Sequence, residues 1–152
     1  MIEALNTGPL NQGYISLFLP GGVEGYSVFR QSVPGIADQE AVVPFSTVSS
    51  KTSTLIWDDT NFVTAVAVVN LSSLNNTVFI AVRDGSGSTI GTAAVPIAAQ
   101  GKFTMALRDI PGLGIIAGKR GSADFTVPFG NIAVLGLRFD GAAFSSIPTT
   151  QR

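Results

Sequence analysis

The stretch TLIWDDTNFVTAVAVVN, residues 54–70, is the most informative part of the chain for the fold. Its second part, from Phe62 to Asn70, consists almost entirely of β-branched and small apolar residues. Successive side chains of a β-strand point to opposite faces of the sheet, and here both faces are apolar. Such a run predicts a central strand that is covered on both sides. It is too short to cross a bilayer as a helix, which needs about 20 apolar residues.

The composition indicates a folded domain without a basic surface. Of the 152 residues, 45% are apolar and only 12% are charged, whereas about 25% charged residues are usual in a soluble domain. A chain of this length buries about 70% of its unfolded surface, in one domain or two small half-domains. The formal net charge is −1 and the nine basic residues are scattered. The sequence therefore predicts no nucleic-acid partner, because binding to phosphates requires a basic patch or stripe.

Cysteine and histidine are both absent from the sequence. Without cysteine there are no disulfides, thiolate metal sites or thiol nucleophiles. Without histidine, the Ser-His-Asp and Cys-His mechanisms are excluded, as are most catalytic zinc sites. Any chemistry would therefore depend on carboxylates, hydroxyls, lysine or an oxygen-bound cation.

The start of the sequence, Met1-Ile2-Glu3-Ala4, does not have the features of a signal peptide. It has neither a positively charged region nor a following apolar segment of the usual length. No apolar run in the chain is long enough to predict a membrane-spanning helix. The sequence therefore predicts neither an export signal nor a membrane span.

Short segments of alternating polarity, separated by glycine or proline turns, follow one another along the chain. No window shows a sustained 3.6-residue period. About eleven short strands with turn signals between them are typical of an all-β protein, and we expect an antiparallel, Ig-like β-sandwich. Besides residues 54–70, the predicted strands are Ile2–Leu5, Tyr14–Leu19, Val23–Gln31, Gln39–Phe45, Thr77–Arg83, Ser88–Ile97, Lys102–Leu107, Gly121–Val127, Ile132–Phe139 and Phe144–Ile147.

An internal repeat is visible in the order of these segments. Glycine, strand, proline turn, strand, loop and a strand ending in proline occur in this order twice. Only the second copy is preceded by a full set of further strands. The matching segments are 12–20 with 120–128, 23–28 with 132–137, and 42–44 with 146–148.

The repeat predicts three parts of the chain. Residues 1–46 are an incomplete β repeat, the last strands of a sandwich unit; residues 47–53 are a linker; residues 54–149 are a complete β-sandwich repeat. An incomplete unit leaves an apolar face uncovered, so it must pack on the complete unit, dimerise, or exchange strands with a partner. We therefore expect a neighbouring repeat or a second copy of the chain as partner.

Several phrases of the sequence resemble a β-rich tandem repeat of uncharacterised secreted and surface proteins of soil bacteria. They are TLIWDDTNFVTAVAVVN, RDGSGSTIGTAAVPIAAQGKFTMAL, AGKRGSADF and NIAVLGLRFDGAAFSSIP. The segment VEGYSVFRQSVPGIADQEAVVPF is similar to the end of the preceding repeat. The resemblance covers nearly the whole chain and implies an extracellular or cell-surface β-sandwich. It implies no particular chemistry.

Two adjacent carboxylates stand before the predicted central strand, and the family's aspartate-rich phrase corresponds to them. Asp58 and Asp59, together with Asn61, offer oxygen ligands of the kind that Ca²⁺ prefers. The Asp-x-Asp-x-Asp-Gly spacing of an EF-hand is missing. The competing interpretation, which we favour, is a turn whose aspartates accept hydrogen bonds from nearby backbone N–H groups.

Three aromatic residues are candidates for ligand binding. Trp57, Tyr14 and Tyr26 have flat rings on which a sugar ring could stack. An aromatic residue in an alternating strand is more often part of a core or interface, and we favour the core for these three. The stacking interpretation predicts exposed rings, and the core interpretation predicts buried ones.

Two hypotheses of different classes follow. The leading one is a non-catalytic β-sandwich module of a secreted or surface bacterial protein, for adhesion, spacing or binding of a ligand such as a glycan. The alternative is a Ca²⁺-dependent hydrolase of small esters or lactones, with Asp58 and Asp59 as the candidate catalytic residues. A glycosidase pair is disfavoured, because adjacent residues of a strand point to opposite faces.

Overall fold

The computed structural model describes residues 13–32, 35, 37–45 and 50–151. In these residues the chain forms eleven β-strands and two short 3-10 helices. The predicted strand Ile2–Leu5 lies outside them. The elements are β1 (Tyr26–Gln31), β2 (Gln39–Pro44), β3 (Thr52–Asp58), β4 (Val63–Asn70), β5 (Asn76–Asp84), β6 (Thr89–Ile97), β7 (Lys102–Ala106), η1 (Leu107–Asp109), η2 (Gly114–Ile116), β8 (Arg120–Thr126), β9 (Ile132–Asp140), β10 (Ala143–Ile147) and β11 (Thr149–Gln151).

The strands form two larger sheets and one hairpin, and every ladder is antiparallel. The four-stranded sheet has the order β10-β9-β4-β7, and the five-stranded sheet has the order β11-β3-β8-β5-β6. Strands β1 and β2 form the separate hairpin. This confirms the predicted all-β, antiparallel sandwich fold.

The core lies between the two larger sheets. Strand β4, the predicted central strand, pairs with β9 on one side and with β7 on the other. One of its faces is buried in the core, whereas Ala65 and Ala67 on the other face are half-buried, so the strand is covered less completely than the sequence predicts. The largest fully buried side chains are those of Trp57, Phe125, Leu55, Ile80, Leu107, Ile110, Leu113, Ile116, Ile132, Val66, Val68 and Val78.

The hairpin between β5 and β6 turns at Asp-Gly-Ser-Gly, residues 84–87, one of the glycine turns that separate the alternating segments. Gly87 has φ +86°, a conformation that glycine adopts without strain. The Asp84 carboxylate accepts hydrogen bonds from the backbone N–H and hydroxyl of Ser86 and from the N–H of Ser88. Next to this hairpin, Gly121 of β8 passes so close that an added Cβ would lie 1.8 Å from the Arg83 carbonyl oxygen. Glycine is therefore required at this position.

The prediction of a strand at Tyr14–Leu19 is wrong, because residues 13–20 belong to no ladder. The side chains of Ile15 and Phe18 are 84% and 104% exposed. The sequence pattern is that of a strand, but a strand also needs a neighbour to accept and donate its hydrogen bonds.

The boundary of the predicted linker is wrong at its C-terminal end. Strand β3 begins at Thr52, inside the predicted linker 47–53, and residues 46–49 lie outside the described part of the chain. The sequence analysis also missed β11, which pairs with the edge of β3. The polar residues of both segments obscured their strand character, since no alternation of apolar side chains marks them.

The hairpin β1–β2 has the pairing that the internal repeat predicts. Val28 lies opposite Val42 in this hairpin. The corresponding residues of the second copy, Leu137 and Ser146, lie opposite each other in β9–β10. The two hairpins therefore share both sequence pattern and register.

Candidate functional site

Asp58, the last residue of β3, forms a local turn with the residues that follow it. Its Oδ1 accepts hydrogen bonds from the Thr60 backbone N–H at 3.0 Å and from the Thr60 hydroxyl at 2.5 Å. These two bonds, followed by the positive charges of Arg120 and Arg138, lower the pKa of Asp58 below its usual value of 3.8. The carboxylate therefore stabilises the turn, as the favoured interpretation of the sequence predicts.

Asp59 has a different environment from its neighbour. Its side chain is fully buried, and its Oδ2 lies 3.2 Å from Nη1 of Arg108, which follows β7 in η1. Its Oδ1 accepts a hydrogen bond from the Thr64 N–H at the start of β4. The carboxylate thus joins three parts of the chain, the β3–β4 turn, β4 and η1.

The structure does not bring the predicted calcium ligands into one set. Asp58 is bound by Thr60, Asp59 is buried against Arg108, and Asn61 is exposed. Within the described part of the chain, no three acidic side chains lie close enough together to hold a metal ion. The two candidate catalytic carboxylates therefore have separate structural contacts.

The three candidate aromatic residues do not form one platform. Trp57 is 0% exposed and lies in the core, which confirms the favoured interpretation and rules out the candidate role of this ring as a stacking surface. Tyr14 and Tyr26 are 42% and 66% exposed, so the favoured core position is wrong for these two residues. The Tyr14 hydroxyl donates a hydrogen bond to the carbonyl of Gln100, in the turn next to the C-terminal end of β4. The Asp58 turn precedes the opposite end of β4, so the tyrosine and the aspartates are far apart.

A groove that the sequence analysis did not predict lies where the end of β3 meets the start of β8, the β5–β6 turn and the edge strand β10. Its volume is about 760 Å³. Two acidic residues, two basic residues and two serines of β10 line it, together with an exposed apolar residue of β3. In order, these are Asp58, Asp84, Arg120, Arg138, Ser145, Ser146 and Ile56.

The two arginines of the groove are exposed, and they differ from the arginines that form ion pairs elsewhere in the described part of the chain. Arg120 lies opposite Asp58 in the β3–β8 ladder, and the Arg138 guanidinium lies 4.7 Å from the centre of the Phe62 ring. Neither arginine forms an ion pair with a carboxylate among the described residues. Their N–H groups are therefore available to an acidic ligand.

The proximity of these arginines has a weak signal in the sequence. Each lies near one end of a predicted strand, but they are 18 positions apart in the sequence. Strands β8 and β9 belong to different sheets, so only the packing of the two sheets brings them to the same groove. The nearby Asp124, in contrast, is occupied by Arg83 at 3.3 Å and by the Thr54 hydroxyl at 2.6 Å.

No family model matches the chain, and no curated protein or solved structure matches it. In the part of the chain that the structure describes, no helix has the length and apolarity needed to cross a bilayer. The geometry of the groove and the internal repeat are therefore the basis for the functional argument.

We expect replacement of Arg108 by alanine to destabilise the fold by about 2 kcal/mol, because it leaves the buried Asp59 carboxylate without its cation. Urea unfolding measures the change. The matched control is Arg83→Ala, which removes the more exposed pair with Asp124 and should cost less than about 1 kcal/mol. Equal losses for the two variants would contradict the structural role of Asp59.

The pH dependence of stability tests the Asp58 turn. A pKa that is lower in the folded state than in the unfolded state stabilises the fold above about pH 4, and this stabilisation is lost as pH falls through the folded pKa. We expect Asp58→Asn to have a lower Tm than the wild type at neutral pH, and the difference to close in strong acid. A difference that stays constant with pH would show that the carboxylate charge has no such role.

Proposed function

We propose that the protein is a non-catalytic β-sandwich module of a secreted or surface protein, which serves adhesion or spacing and binds an acidic glycan in the groove beside β3. The resemblance of the sequence to repeats of secreted and surface proteins supports the location. The observation that best supports the ligand is the pair of exposed arginines, Arg120 and Arg138, neither of which forms an ion pair with a carboxylate among the described residues.

The chemistry of the groove suits a saccharide that has carboxylate groups. A guanidinium donates two parallel hydrogen bonds to a carboxylate, and these are stronger than bonds between neutral groups. The hydroxyl of Ser145 and the exposed side chain of Ile56 add polar and apolar contact area. The neighbouring Asp58 and Asp84 would repel a polyanion of high charge density, so the fit is best for isolated carboxylates on a largely neutral chain.

The state of the acidic residues supports a binding role over hydrolysis. A general base works best with a pKa near the operating pH. The pKa values of Asp58 and Asp84 are instead lowered, in each case first by the hydroxyl of a nearby side chain, Thr60 or Ser86. Both carboxylates accept hydrogen bonds within their own turns, which favours a structural role for them.

The test is a binding measurement with uronic-acid polysaccharides and their neutral counterparts. We expect the wild type to bind the acidic members, and Arg120→Ala and Arg138→Ala each to bind about ten- to a hundredfold more weakly, since a hydrogen bond to a charged group contributes about 1.5–3 kcal/mol. A higher salt concentration should also weaken binding of the acidic polysaccharides to the wild type, because salt screens the attraction between the arginines and the carboxylates.

The matched control is Arg30→Ala in β1. Arg30 is also exposed, but it pairs with Asp38 and Glu40 and does not line the groove. Its replacement should leave binding unchanged. Absence of binding to every acidic polysaccharide, or equal binding by wild type and both groove variants, would refute the proposed ligand.

A further inference from the structure

The segment before β1 has the side chains of a core strand but none of its burial. In the internal repeat, residues 13–19 correspond to residues 121–127, which include most of β8. Ala123, Phe125 and Val127 are at most 2% exposed. The residues at the corresponding positions of the first copy are equally apolar but are 84%, 52% and 39% exposed; they are Ile15, Leu17 and Leu19.

The backbone of the two copies differs in the same way. Strand β8 is inserted between β3 and β5 and forms ladders with both. Residues 13–19 form no ladder. Within the described part of the chain, a β3-like and a β5-like strand occur once, and β8 occupies the space between them. Among the described residues, the first copy therefore has the segment that corresponds to the inserted strand but not the two neighbouring strands.

The rest of the first copy is already in the conformation that the complete unit requires. Its hairpin β1–β2 has the register of β9–β10. It also contacts the sandwich, because the Ser146 hydroxyl of β10 donates a hydrogen bond of 2.6 Å to the Val42 carbonyl of β2. A second sandwich completed on this hairpin would thus continue an existing contact between the two copies.

We propose that residues 13–32 and 37–45 are a docking surface for the first half of another sandwich repeat, a unit equivalent to β3–β7, and that residues 13–19 insert between its β3-like and β5-like strands. The proposal deepens the module function and rests on it, but it is independent of the glycan, since these described residues do not line the groove.

The ladders of β8 define what this partner supplies. In the complete repeat, Phe125 lies opposite Ser53 of β3 and Ile80 of β5. The partner must offer two strands that run parallel to each other and antiparallel to residues 13–19, with free edges facing each other and an apolar surface between them. Backbone hydrogen bonds would then form on both sides of residues 13–19, and the three exposed apolar side chains would leave water.

A tandem fusion tests the proposal with the whole described chain present. Residues 50–119 are placed directly before residue 12, which reproduces the connection between η2 and β8 in the complete repeat. We expect hydrogen exchange of the amides of residues 14–18 to slow by at least about a hundredfold relative to the unfused chain, as these amides become part of a two-sided ladder.

Two further variants of the fusion keep the result interpretable. In the first, Leu17→Asp places a charge at the position of Phe125 and should abolish the protection of residues 14–18, while residues 50–151 keep theirs. In the second, Ile15→Ala, Leu17→Phe and Leu19→Val reproduce the β8 core residues, which corrects any mismatch in size between the copies.

The proposal is overturned if residues 14–18 exchange as fast in both the original and the size-matched fusion as in the unfused chain. It is also overturned if the unfused chain dimerises in sedimentation and the dimer alone protects these amides, because the occupant is then a second copy. Loss of glycan binding without change in this protection would refute the ligand but not the docking surface.

Discussion

The insertion of β8 between β3 and β5 is the contact on which the rest of the sandwich depends. It closes the middle of the five-stranded sheet with ladders on both sides. It also places the fully buried Phe125 in one core cluster with side chains of the opposite sheet, among them Val66 and Val68. Because each strand turns only one of its faces to the core, the core forms only when the two sheets are both complete. The exposed copy of this strand in residues 13–19 shows the same sequence pattern without that contact.

The contacts of several charged side chains depend on this arrangement of the strands. Where the chain leaves the core at the ends of β3 and β8, polar groups must be satisfied by local contacts or by water. The Asp59–Arg108 pair and the Asp58–Thr60 turn fulfil this requirement for the connection between the two sheets. The arginines of the groove form no ion pair among the described residues, unlike Arg30, Arg83 and Arg108, and they lie together in one groove, which makes them the candidates for ligand binding.

Much of the fold could be predicted from the alternation of side chains, and some of the site as well. The strands from β4 to β10 have their predicted places because apolar alternation and glycine turns are local signals. The aspartates are turn residues, as their position before a strand predicts. The sequence also indicates the burial of Trp57, because this residue lies on the same face of its strand as Leu55, whereas Asp58 lies on the other face. Alternation places Trp57 on one face, but only the packing of the sheets identifies that face as the core.

The remaining features depend on contacts between distant parts of the chain. The side chains of residues 13–19 alternate as in a strand. The hydrogen bonds of a strand, however, require neighbouring strands, and local alternation does not show whether these are present. Arg120 and Arg138 lie in different sheets and reach the same groove only through the packing of these sheets, which is equally non-local. Strand β11 has too few apolar residues for its pairing with β3 to be seen.

The most direct measurement of the central claim is hydrogen exchange on the chain alone at low concentration, comparing residues 14–19 with residues 122–127. If a β8-type strand is stable only between its two neighbours, the amides of the first segment exchange at nearly the rate of an unstructured peptide, while those of the second are protected to the level of global unfolding. Similar protection of the two segments would show that the first copy forms a strand without those neighbours, which would contradict this account.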